Sequence, residues 1–167
     1  MTSSDLISRE YVLDSSVFLA AFDKTSAERD VARQFLDELL KRQFMALMPT
    51  HAWFEVLCTW NRMKKENVFD PPDFGHSYPI KFIHIDDLFL KKYGNVVDLP
   101  YIKGGDHIFL VYAKVNDIPL ITRDKKMFQV ARACGARVFL PEEYMHRVGV
   151  GSKFDLFAQG LLRPVAP

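Results

Sequence analysis

At 167 residues, with 49% hydrophobic and 26% charged side chains, the chain suits one compact domain and leaves little room for two. Lys and Arg number 22 against 21 Asp and Glu, so a net charge of +1 excludes a strong global field for nucleic acid or membrane surfaces. There is no fixed-period repeat, no low-complexity tract and no apolar run near the ~18 residues of a membrane span. Residues 1–10 are polar and lack the apolar centre of a secretory signal, so the expectation is a cytoplasmic protein without a membrane.

Residues 11–13 read as a short buried strand that ends at Asp14, and residues 17–22 as an apolar segment that starts a helix. Thr25 or Ser26 can cap a helix over residues 27–41, where Val31, Phe35, Leu36, Leu39 and Leu40 recur at helical spacing. Residues 44–48 are five apolar residues in a row before Pro49, the pattern of a buried strand. Thr50 can cap a helix over residues 51–65, with Glu55 inside its apolar stretch. Residues 68–79 are rich in proline and form a loop; residues 80–85 alternate as a strand does. Asp86 and Asp87 open a helix to about Tyr93, and residues 95–103 are irregular. Gly104, Gly105 and Asp106 lead into the helical run 108–115. Residues 120–122 form a short strand with Asp124 just past its end, and a helix over 125–133 stops at Gly135. Residues 137–140 are the last strand. From Pro141 the sequence shows no clear periodicity and reads as a tail that packs across the domain or meets a partner chain.

Strands alternating with helices predict a three-layer α/β/α domain around a mostly parallel sheet. The expected organisation is a single domain over residues 1–167, with a core at about 11–141 and a C-terminal extension at 142–167. Right-handed crossovers bring the C-terminal strand ends to one edge, where ligands of such sheets bind.

Most acidic residues, among them Asp30, Asp37, Glu38, Glu66, Glu142 and Glu143, fit polar faces and need no special role. Four others are placed differently. Asp14 and Asp124 each end a strand, where a carboxylate either caps the next helix or ligates at the sheet edge. Asp106 opens a helix after two glycines and has the same two readings. Glu55 interrupts an apolar stretch, and burying a lone carboxylate there costs several kcal/mol unless it is paired with a Lys or Arg or binds a metal. Carboxylates converging on one edge repel unless a cation is present. Hard oxygen donors select Mg2+ or Mn2+ over zinc.

Other candidates carry less. Cys58 and Cys134 lie far apart in apolar helical patterns and read as buried thiols, without zinc spacing. None of the five histidines pairs at i, i+4, and His107 alone stands near the proposed site. Trp53 and Trp60 are two helical turns apart and fit a core or a subunit interface better than base stacking. Gly104-Gly105 is not a phosphate loop, and no GxSxG or Cys/His nucleophile pattern occurs. A haloacid-dehalogenase-type phosphatase would need D-x-D after the first strand, where Ser16 stands instead. A basic rim for RNA could come from Lys103, Arg123, Lys125 and Lys126, though each taken singly fits a solvated face better.

Taken in order, these residues resemble the PIN domain superfamily and, within it, the VapC-type toxin ribonucleases of type II toxin–antitoxin pairs. The pattern is a strand ending in D-x-[SN] (Asp14-Ser15-Ser16), then a helical glutamate (Glu55), then an aspartate opening a helix (Asp106), then T-x-D after a short apolar strand (Thr122-Arg123-Asp124). The resemblance covers about residues 11–141. It implies that Asp14, Asp106 and Asp124 ligate one or two divalent cations, Mg2+ or Mn2+, and that Glu55 completes the cluster. It also implies that Ser16 and Thr122 hydrogen-bond to the carboxylates or to metal-bound water, a role that ordinary loop capping rivals. The implied activity is metal-dependent hydrolysis of RNA by in-line attack of water, with an antitoxin protein and a second copy as partners. The alternatives are a non-catalytic PIN-like module that binds RNA or protein, and a metal-dependent nuclease or phosphatase acting on other phosphate esters.

Overall fold

Apolar runs too short for helices become strands buried on both faces. In β1 (Glu10–Leu13), Tyr11, Val12 and Leu13 are all buried, as a central strand of a two-sided sheet requires. β2 (Met45–Pro49), β3 (Ile80–Ile83), β4 (Leu120–Ile121) and β5 (Val138–Phe139) join it in the order β3-β2-β1-β4-β5. All four pairings are parallel, where the sequence predicted a mostly parallel sheet. The computed structural model describes residues 9–64, 68, 78–96, 99–100 and 102–149. The sequence readings for residues 1–8, most of the loop 68–79 and the tail from 150 lie outside the described residues.

Seven helices connect and cover the strands among the described residues: α1 (Ser15–Phe22), α2 (Arg29–Lys41), α3 (Thr50–Met63), α4 (Asp87–Tyr93), α5 (Gly104–Val115), α6 (Lys125–Ala133) and α7 (Pro141–Arg147). The larger core packs Phe18, Phe22, Phe35 and Leu36 from α1 and α2 against Tyr11 and Leu13. A smaller one joins Leu47 and Ile83 to Phe89 and Tyr93 of α4 and Val111 of α5. β2 flanks β1 on one side and β4 on the other, so the chain reverses direction across the sheet at β1. A crevice at such a reversal is where sheets of this type bind ligands. No helix among the described residues is long and apolar enough to cross a membrane.

Several boundaries differ from the sequence reading. α2 starts at Arg29 rather than residue 27, because Thr25 and Ser26 spend their polar groups on a turn: Thr25 donates to Asp23 Oδ1, and Ser26 Oγ accepts from Glu28 N. Thr50 is the first residue of α3 and not its cap. The tail after Pro141 begins with a helix, α7, too short to show a period. Its signals were Pro141 at the first position, Glu142 and Glu143 in the first turn and His146 and Arg147 in the last. Glu143 accepts from Leu140 N, and Tyr144 packs on Tyr11 and Phe35.

Candidate functional site

Asp14 follows β1 directly, and its N–H donates to the carbonyl of Ile121, fixing it beside the end of β4. It stands at the cap position of α1, yet its side chain makes no cap bond. Its carboxylate instead accepts from Ser16 Oγ and, at 2.6 Å, from Thr122 Oγ1. Both hydroxyls also tie down the opposite strand end: Ser16 Oγ accepts from Arg123 N at 3.0 Å and Thr122 Oγ1 from Asp124 N at 2.9 Å. Asp14 is only 4% exposed. Burial raises its pKa above the ordinary carboxylate value, donors from Ser16 and Thr122 offset part of that, and the charge of Asp106 adds to it.

Asp124 is the cap of α6, accepting from Met127 N at 2.8 Å, as one of its two sequence readings had it, and it stands just past the end of β4 at the sheet edge. Asp106 is not a cap. α5 begins two residues earlier, at Gly104, with Lys103 at the cap position. Because α5 leads into β4, its first turn lies over the C-terminal strand ends. Burial raises the pKa of Asp106, and so do the charges of Asp124 and then Glu55; Lys103 and His51 oppose the shift. Asp106 therefore senses both acids on its side of the edge and acts in turn on Asp14. The four acids come from four elements and share one electrostatic neighbourhood.

Glu55 corrects the sequence argument. It is exposed, and of α3 only Ala52 and Val56 are buried. The apolar stretch around Glu55 misled because Phe54 is 67% exposed. With Thr50, Trp53, Leu57 and Phe82, it lines an open apolar cleft of about 240 Å³. Glu55 is held by Ser15, whose Oγ donates to Oε2 at 2.7 Å. No cost of burial selects this glutamate; its place beside the other acids does.

Three further expectations change. Cys58 is exposed and Cys134 half-buried, with Cys134 Sγ donating to Ala131 O. Arg123 is not part of a rim: its side chain is 9% exposed and bridges Glu142 at 2.9 Å and Glu28 at 3.4 Å. Lys103, Lys125 and Lys126 are exposed. The histidine that matters is His51 rather than His107 alone: its ring meets Phe109 edge-on, and its charge acts on Asp106. The sequence missed His51 because it lies outside the acidic motifs, and Ser15 because it was the unassigned middle residue of Asp14-Ser15-Ser16.

The donor chemistry fits a hard divalent cation, since carboxylates and hydroxyls meet here without a thiol. Asp106 raises Asp14, and Asp124 and Glu55 raise Asp106; this is the charge excess that a cation would relieve. Among the described residues, no three His, Cys, Asp or Glu side chains converge closely enough to form a finished metal cage.

A profile of the PIN domain matches residues 11–133, most of the chain and every strand that carries an acid. The chain belongs to the PIN domain family. PIN domains are generally metal-dependent nucleases, so this PIN domain has a nuclease-type fold. The family match ends with α6, leaving β5 and α7 beyond it. No curated protein matches this PIN domain.

Proposed function

We propose that this PIN domain is a Mg2+- or Mn2+-dependent endoribonuclease, acting in the cytoplasm as the toxin of a VapC-type toxin–antitoxin pair. The observation that supports this most is the shared edge of Asp14, Glu55, Asp106 and Asp124, where each of the two acids with a raised pKa is raised partly by a neighbouring acid. Asp14, Asp106 and Asp124 would hold the cation and Glu55 would complete its shell. A cation bound there lowers the pKa of a water and neutralises charge on the attacked phosphate. Thr122 and Ser16 orient the Asp14 carboxylate from two sides. The capping bond to Met127 N fixes Asp124. Exposed Lys103, Lys125 and Lys126 offer a local positive rim for RNA phosphates that the net charge of +1 does not announce. The antitoxin and a homodimer partner belong to the toxin reading.

The test is cleavage of an end-labelled, mixed-sequence RNA with Mg2+, with Mn2+ and with EDTA. Wild type should cut only with metal, and Asp14→Asn should lose more than ~100-fold, beyond the range for residues that merely support a ligand. Cutting of DNA or nucleotides but not RNA would move the reading to another phosphate ester. No cutting and no cation binding would leave a binding module.

A further inference from the structure

Ser15 is the first residue of α1 and is 5% exposed, a burial that a serine reaches only with its hydroxyl bonded. Its Oγ lies 2.7 Å from Glu55 Oε2 and 3.4 Å from Asp14 Oδ1. A hydroxyl carries one proton, so the short, charge-assisted bond goes to Glu55 and the Asp14 contact is secondary. Among the described residues this is the one hydrogen bond of the Glu55 side chain. An exposed glutamate without it would spread over many rotamers, and ordering it on a ligand would cost that freedom. The two helices are already docked: Phe18 of α1 meets Trp53 of α3 edge-on at 5.6 Å between ring centres. Ser15 thus sits on a rigid base, between a buried acid and an exposed one.

We propose that Ser15 is a positioning residue for cation binding, whose hydroxyl holds Glu55 in the acidic cluster beside Asp14. This rests on the metal-dependent reading above and adds to it a residue that acts through Glu55. It does not touch the substrate, and it differs from Ser16 and Thr122, whose hydroxyls donate to Asp14.

The experiment is titration calorimetry of the full chain with Mn2+, for wild type, Ser15→Ala, Glu55→Ala and the double variant. Ser15→Ala should weaken Mn2+ binding ~10-fold with little change in unfolding temperature, and Ser15→Thr should recover most of the loss. On the Glu55→Ala background, Ser15→Ala should cost less than ~2-fold more, because its target is gone. Wild-type affinity in Ser15→Ala would overturn the proposal alone. So would a full further ~10-fold loss in the double variant, which would mean that Ser15 acts by another route. No Mn2+ binding by wild type would overturn the metal-dependent reading itself, and this proposal with it.

Discussion

Asp14 lies at the end of the central strand and takes two side-chain hydroxyls, from Ser16 and Thr122. Glu55, on the solvent-facing part of α3, takes one hydroxyl, from Ser15. The same chemical group is therefore held in two ways a few residues of α1 apart. A buried charge must be satisfied by its surroundings or it unfolds them. An exposed charge keeps its water and needs only to be aimed. The Asp14 half of the site should matter to both stability and cation binding, and the Glu55 half to cation binding alone.

The largest effect should come from Thr122→Ala. Thr122 is fully buried, donates to Asp14 and accepts from Asp124 N, so its loss leaves a buried carboxylate underserved. Urea unfolding should show a loss of about 1.5–3 kcal/mol, and Mn2+ affinity should fall ~10–100-fold. Asp106→Asn should act in the opposite direction on stability. It removes a charge that faces Asp124 and Glu55 and raises Asp14, so the unfolding temperature in EDTA should rise while Mn2+ binding weakens. A fall in that temperature would mean that Asp106 is structural. The pH dependence has the same origin. Asp14 and Asp106 have folded pKa values above their unfolded ones, so their ionised forms disfavour the fold. That penalty is absent below the unfolded carboxylate pKa, grows as pH rises through the shifted values and is complete above them. Metal-free protein should accordingly gain stability from these two groups as pH falls into the carboxylate range, and lose Mn2+ affinity over the same range. The smallest effect on stability should be that of Glu55→Gln, within about 0.5 kcal/mol. A loss as large as that of Thr122→Ala would remove the contrast between the two halves.

The strands were legible because buried parallel strands are short apolar runs ending in sharp signals, such as Pro49 closing β2 or Asp14 after β1; their order in the sheet came only with the structure. Asp14 and Asp124 could be brought to one edge from topology alone. Burial on α3 could not be read, because Phe54 and Leu57 are apolar and yet line a cleft; hydrophobicity does not say which apolar face meets the core. Arg123 looked like a solvated neighbour of Asp124, and only the approach of Glu28 and Glu142 from distant parts of the chain made it internal. Ser15 stayed hidden for the same reason: its partner lies forty positions away, on another helix.

The stretch that matches the family stops at residue 133, and the folded unit does not. β5 takes the outer side of β4, with Leu120 N donating to Arg137 O and Thr122 N to Phe139 O. Beyond it, Tyr144 fills the space beside Tyr11 and Phe35, and Val148 O accepts from Arg42. A fragment cut at the family boundary would leave β4 as a bare edge, open to pairing with any other chain. It would also loosen the backbone of Thr122, the residue that holds Asp14. The shortest piece of this protein worth expressing runs through Val148.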